Sequence, residues 1–365
     1  MNGRTRILSR LNGLPQGGLS WTTLVDDVTR SIMPPRYRGM PVIDFYKAIG
    51  CDIFQFGNYG LPEDQQVRSP CRWTAPGVST EEYWQGNILV RKLVTPWGEL
   101  AATFARDHPL KYPVTTAEEL KILKQTWAEA IYEEEANGDG GYSRLDALIG
   151  DSGIYVPTVD PSPVQHLLEY EMGLENFYAL LQDEQKEMED LMEIMHRCRL
   201  QEYAIQARRT QAAAIITVEN TSTTLISPSL YRKYSLRHLQ AFADVVHAHG
   251  KKAILHMCGH LKNLLPFIKD TGLDGVHALT PPTVGDTPFE LAWDTLGDRV
   301  TFLGLLDSAV FHDPRVSRQD IFSLLDKTFT SRVRAGNFIL AIAADGLPTP
   351  LEKFEAVQEW MQQNG

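Results

Sequence analysis

The chain has 365 residues, 43% of them hydrophobic and 22% charged, with a net charge of −11. That length buries one large core or two ordinary ones, and the acidic balance argues against a phosphate-backbone partner such as nucleic acid. No apolar run approaches the roughly 20 residues that a membrane-crossing helix needs.

The N-terminus, "MNGRTRILSRLNG", is basic and has no apolar signal core. It reads as a short surface helix of a mature cytoplasmic protein. Cys51, Cys71, Cys198 and Cys258 are too scattered to form a disulfide framework, which fits a reducing compartment.

Before residue 150, Pro, Gly and Trp are frequent and elements are short, as in "MPPRYRGMP", "WTAPGVST" and "TPWGEL". "CDIFQFG" (51–57) is a candidate strand there. After residue 150, short apolar runs alternate with helical stretches. The predicted strands are "GIYVPTV" (153–159), "AAAIITV" (212–218), "KKAILH" (251–256), "LDGVHAL" (273–279), "VTFLGLL" (300–306) and "NFILAIA" (337–343). Helices are expected near 163–208 with a break near Gly173, near 227–249, after the 251–256 strand through about Lys269, and near 317–335 and 350–363.

Apolar strands alternating with helices call for parallel βαβ units buried on both faces. About eight such units over roughly 250 residues is the arithmetic of an α/β TIM (β/α)8 barrel, here with an N-terminal extension. The expected organisation is one domain over 1–365, with the extension and first barrel units in 1–150 and the remaining units in 151–365. A doubly wound open sheet is the alternative, but no G-x-G-x-x-G follows any predicted strand.

In a barrel, chemistry sits where strands end and βα loops begin. Polar residues recur at those ends: Glu219, His256 with Cys258, Asp307 and Asp345, with His277 inside its strand. His-x-Cys at i and i+2 shares one face of an extended chain, and imidazole with thiolate suits zinc, which carboxylates can complete. His277 reads more simply as a hydrogen-bonded wall residue. Asp307 and Asp345 could instead cap the helices that follow. Glu219, beside a low-dielectric strand and with no adjacent Lys or Arg, must be neutral, paired or bound to metal.

The stretches "VENTSTTLISPSLYRKY" (218–234), "HMCGHLKNLLPFIKDTGLDGVH" (256–277) and "GLLDS" (304–308) resemble the uroporphyrinogen decarboxylase superfamily. The likeness runs from "GRTRILSRLNG" to "PTPLEKFEAV". The HxCG element points to its cobamide-dependent methyltransferase branch. Within that branch, "ENTSTTLISP" and "IDFYKAIGCDIFQFG" bring the chain closer to the methyltransferases of anaerobic O-demethylase systems than to the methylcobamide:coenzyme M enzymes.

The resemblance implies a TIM barrel with zinc at its mouth, held by His256, Cys258 and a carboxylate, Glu219 or Asp345. Those three would be the catalytic set, Glu219 foremost among the carboxylates, with His277 and Asp307 toward the substrate. It further implies a small methyl donor, an aryl methyl ether, and a corrinoid (cobalamin) supplied by a partner protein, because the chain has no Asp-x-His-x-x-Gly element. The chain departs from the family in two places. The Arg-rich substrate motif of true decarboxylases has only a faint echo in "PPRYRG". The second cysteine of the coenzyme M enzymes is absent from "AIAADGLPTP". A site with one thiolate suits an oxygen donor better than a thiol. The alternatives are a cofactor-free decarboxylase and a methylcobamide:thiol methyltransferase; monomer and homodimer both stay open.

Overall fold

The apolar runs become the strands of a closed parallel sheet. The computed structural model describes residues 1–106 and 108–365. From the N-terminus the strands are β1 (Trp21–Val25) and β2 (Ile53–Phe56), then an inserted set of β3 (Cys71–Thr74), β4 (Ser79–Gln85), β5 (Ile88–Thr95), β6 (Gly98–Ala105), β7 (His108–Lys111) and β8 (Ile131–Glu134). There follow β9 (Gly153–Val156), β10 (Thr158–Val159), β11 (Ala214–Thr217), β12 (Lys252–His256), β13 (Gly275–Leu279), β14 (Thr301–Leu305) and β15 (Phe338–Ala344).

Seven of them lie side by side in the order β1-β15-β14-β13-β12-β11-β10, and β2 pairs in parallel with β9. β9 and β10 are one run interrupted at Pro157, which has no N–H to give to a ladder; its carbonyl still accepts from Ile216 N at 3.0 Å. The seam between β1 and β2 is held by Asp52 N donating to Trp21 O at 2.8 Å and Phe54 N to Thr22 Oγ1 at 3.3 Å. Counting β9 and β10 as one, eight parallel strands thus return on themselves as a TIM barrel.

The lumen is filled by Phe54, Ile154, Ile216, Ile254, Leu303 and Ile339. Ile7 and Leu11 of the helix Gly3–Leu11 join this cluster, both almost fully buried. They stand at i and i+4, on one face of the helix, and each buried side chain contributes about 1.5–3 kcal/mol. Arg10 Nε donates to Phe338 O at 2.8 Å and Thr301 Oγ1 donates to Arg10 O at 2.7 Å, which ties the helix to the starting ends of β15 and β14. The segment is therefore the floor of the barrel rather than a surface helix. Its basic residues mask a two-residue apolar stripe, and Arg6 Nε pairs with Asp52 at 2.9 Å.

A second, larger core lies between the barrel and its helices and runs from Trp21 to Met361. The inserted strands form an antiparallel sheet β4-β5-β6-β7 and an antiparallel pair β3-β8. The expected helix after β10 opens as Pro163–His166 and a π turn over Leu167–Met172, breaks at Gly173 where a break was expected, and continues as Gly173–Asp183 and Gln185–Arg209. After β12 the helix expected to run through Lys269 is only Leu265–Lys269. Among the described residues, no helix is long and apolar enough to cross a membrane.

Candidate functional site

β12 ends on His256, and its register partner on β13 is His277. The two imidazoles meet Nδ1 to Nδ1 at 2.7 Å, so one nitrogen carries the proton and the other accepts it. Phe54 and Phe56 alternate on β2 and therefore share its lumen face. Their rings stack on His277 with centroids 5.6 and 5.3 Å away, and Phe56 is 5.5 Å from His256. Burial among these rings pushes the His256 imidazole down to about 4 and holds His277 well below the ordinary histidine range. Both are neutral near pH 7, the form in which imidazole binds a metal.

β13 is bulged to make this possible. Its register with β14 shifts between His277 and Leu279, and Ala278 takes a left-handed φ of 66°. Val276 and Leu279 both reach the outer core, while the consecutive His277 and Ala278 both face the barrel mouth. Simple alternation could not do this.

At that mouth is a cavity of about 190 Å³. Its polar lining includes His256, Cys258, His277 and Asp345, with Thr22 and Thr23 of β1; Phe54, Leu305 and Ile342 supply apolar wall. The Cys258 Sγ lies 3.8 Å from Asn220 Oδ1, and burial pushes its thiol up. Gly259 turns the chain directly after it with a φ of 85°, the left-handed region that favours glycine, and a Cβ there would meet Ser222 at 3.4 Å. Asp345 accepts from Tyr59 OH at 3.4 Å, and burial raises its carboxyl.

Two of the expected residues are placed elsewhere. Glu219 is fully buried but does not line the cavity. Its carboxylate accepts from Ser162 N at 2.9 Å, Ser162 Oγ at 2.8 Å and Thr221 Oγ1 at 2.7 Å, and burial pushes its pKa up. Asp307 caps the helix Ser308–His312 through Ala309 N at 2.9 Å and accepts from Thr283 Oγ1 at 3.1 Å. The structure thus brings His256, Cys258, His277 and Asp345 to one cavity, and not Glu219 or Asp307.

Among the described residues, no three His, Cys, Asp or Glu side chains are gathered into a ready metal cluster. The donor chemistry of His256 and Cys258, a neutral imidazole and a thiol on one wall, nonetheless fits a thiophilic metal. Thr22, Thr23, Phe54 and Phe56 were not foreseen as site residues. The F-x-F spacing in "IFQF" was the available signal for the two rings.

A methyltransferase from Methanosarcina mazei, 14% identical, superposes over 100% of this chain and 99% of its own with a TM-score of 0.60, a likeness of fold. The pneumococcal virulence factor StrH, 10% identical, is matched over 98% of this chain and 84% of its own with a TM-score of 0.45. No curated protein matches the sequence. The family model for uroporphyrinogen decarboxylase (URO-D) matches residues 165–363, more than half of the chain, and that stretch holds His256, Cys258, His277 and Asp345. On that match the chain belongs to the uroporphyrinogen decarboxylase family.

Proposed function

We propose that this chain is a methyltransferase that takes the methyl group of an aryl methyl ether and passes it to the cobalt(I) of a corrinoid carried by a separate protein. The observation that carries this reading is the placing of His256 and Cys258 on one largely apolar cavity at the barrel mouth. Phenolate is a poor leaving group, so an inert ether needs an electrophile on its oxygen. Zinc held by His256 and Cys258, with Asp345 as the available carboxylate, would supply that Lewis acidity.

The chain's own residues do the rest. His277 fixes the ring of His256 and determines which of its nitrogens faces the cavity. Phe54 and Phe56 keep water from the imidazole pair. In the transfer the methyl–oxygen bond breaks, a methyl–cobalt bond forms with the electron pair of cobalt(I), and the phenolate leaves to take a proton from solvent.

The cavity does not favour porphyrinogen decarboxylation. An apolar cavity of about 150 Å³ holds benzene, so about 190 Å³ suits one substituted ring and not a tetrapyrrole. Among the described residues, no Lys or Arg lines it to hold a polycarboxylate.

Reconstitution tests the proposal. The chain, an aryl methyl ether and a cobalt(I) corrinoid protein should together give the methyl–cobalt absorption spectrum and one phenol per cobalt methylated. Demethylation by the chain with all corrinoid excluded would overturn it.

A further inference from the structure

We propose that the floor of the barrel carries a binding site for a small oxyanion of the phosphate class, formed by Arg10, Arg334 and the backbone of residues 16–19. The site lies at the starting ends of the strands, away from the mouth, and is independent of the methyl-ether reading.

The basic start of the chain supplies the first cation. Arg4 and Arg6 have carboxylate partners, Asp146 at 2.8 Å and Asp52 at 2.9 Å. Arg10 has none among the described residues. It is almost fully buried and donates only to carbonyl groups: Nε to Phe338 O at 2.8 Å, Nη1 to Arg6 O at 3.1 Å and Gln16 O at 3.2 Å, and Nη2 to Gly18 O. A guanidinium has five N–H donors, so one on Nη2 is left over. Carbonyl dipoles solvate this charge without neutralising it, and a buried charge with no counter-ion is costly.

Arg334 supplies the second cation. Its Nε donates to Phe329 O at 3.0 Å and its Nη1 to Asn364 O at 2.9 Å, and its guanidinium lies 5.2 Å from the ring of Trp360. These contacts fix the group in place. Among the described residues, Nη2 has no partner and no carboxylate lies within 4.0 Å of the guanidinium.

Both arginines line one cavity of about 260 Å³ together with the loop 15–19, and no Asp or Glu side chain is in its wall. Gly365 closes it, and its carboxyl group makes no ion pair with either arginine. The loop adds donors. Among the described residues, the backbone N–H groups of residues 16–19 find no acceptor in the chain. Gly17 and Gly18 are both left-handed, with φ of 86° and 81°, and a Cβ at Gly17 would meet Met1 Sδ at 2.6 Å. Free backbone N–H groups beside guanidinium forks are the donor set that binds oxyanions. The net charge of −11 argues against a nucleic-acid backbone but does not act against one small ion held between two guanidiniums. An apolar cavity of about 150 Å³ holds benzene, so this one also has room for the body of a small phosphate ester.

Calorimetry tests the site. Inorganic phosphate is titrated into the purified chain at neutral pH and constant ionic strength, with bipyridine present as a neutral chelator so that no metal at the mouth takes up the ion. One phosphate per chain should bind, with a Kd of about 1 mM or tighter. Arg334→Gln should weaken binding by about tenfold or more, the scale of a lost hydrogen bond to a charged group, with circular dichroism unchanged. Arg10→Gln should do the same; if it fails to fold, because Arg10 ties down the floor, Arg334→Gln still decides. Arg144→Gln, in a separate open cleft beside Arg68, should bind as the wild type does. Methyl phosphate binding at least as tightly as phosphate assigns the site to phosphate esters, and weaker binding assigns it to the free ion; both outcomes support it. Undiminished binding in Arg334→Gln, or a loss in Arg144→Gln instead, would overturn the inference by placing the ion elsewhere. Absence of binding would also overturn it, as would binding that appears only after residues are added beyond Gly365, because the chain would then supply its own anion.

Discussion

His256 and His277 meet Nδ1 to Nδ1 at 2.7 Å at the mouth of the barrel, one imidazole donating and the other accepting. The adjacency of β12 and β13 sets the pair, and the rings of Phe54 and Phe56 hold it in place. With its Nδ1 committed to His277, His256 has only Nε2 left for a ligand. His277→Phe should keep the stacking and remove the partner. We expect zinc affinity and methyl transfer to fall by about 10- to 100-fold, the usual scale for losing the group that orients a ligand, with little change in melting temperature. Chelator competition and corrinoid spectroscopy on both proteins measure this; overlapping metal curves would show that His277 orients nothing.

Ala278 should be intolerant of branching. Its φ of 66° lies where a Cβ costs about 1–2 kcal/mol, and a β-branched side chain costs more. Ala278→Val should destabilise the fold by about 2 kcal/mol or more in urea unfolding, whereas Ala278→Gly should stay within about 1 kcal/mol of wild type. Equal stability of the Val variant would mean that the bulge is not strained.

Glu219 is expected to act on stability and not on the metal. An amide in its place turns an N–H₂ group toward Ser162 or Thr221, which now donate to the carboxylate. Glu219→Gln should cost about 1–3 kcal/mol and leave zinc binding unchanged. A weaker metal titration with undiminished stability would return Glu219 to the ligand set.

His238 gives the fold a pH dependence whose sign is determined. It is buried, between His196 Nδ1 at 2.8 Å and Tyr203 OH at 2.8 Å, and burial holds its pKa well below 6.5. Tyr203 donates to Asp160 O at 2.9 Å, so it accepts from His238 Nε2–H, and the ring stays neutral. The unfolded imidazole takes up a proton near pH 6.5 and the native one does not. Stability is thus fully present above about pH 6.5 and is lost as the pH falls. His238→Gln should flatten the slope between about pH 6.5 and 5 by up to one proton, about 1.4 kcal/mol per pH unit. Parallel urea midpoints for the two proteins across that range would contradict this.

The alternation of "KKAILH", "VTFLGLL" and "NFILAIA" with helical stretches is visible in the chain because these strands are buried on both faces. β1 is not visible in this way. "WTTLV" carries two threonines that are buried only because the closed barrel puts them on the cavity wall. β4 also has no pattern to read, since all seven of its residues are exposed. The burial of Glu219 follows from the apolar run before it, but its partner Ser162 lies 57 residues away in sequence. Proximity in the fold, invisible in the chain, turns a plausible zinc ligand into a hydrogen-bonded structural residue. His-x-Cys at a strand end was legible, because β12 runs apolar up to His256 and Gly259 allows the turn beyond.

The central claim is that the wall formed by His256 and Cys258 holds the metal that makes this cavity reactive. Elemental analysis of the purified protein and of a His256→Ala, Cys258→Ala double variant tests it most directly. We predict about one zinc per chain in the wild type, with the barrel fold retained and the zinc lost in the variant. Equal zinc in the two proteins, or none in the wild type after expression with zinc, would contradict it.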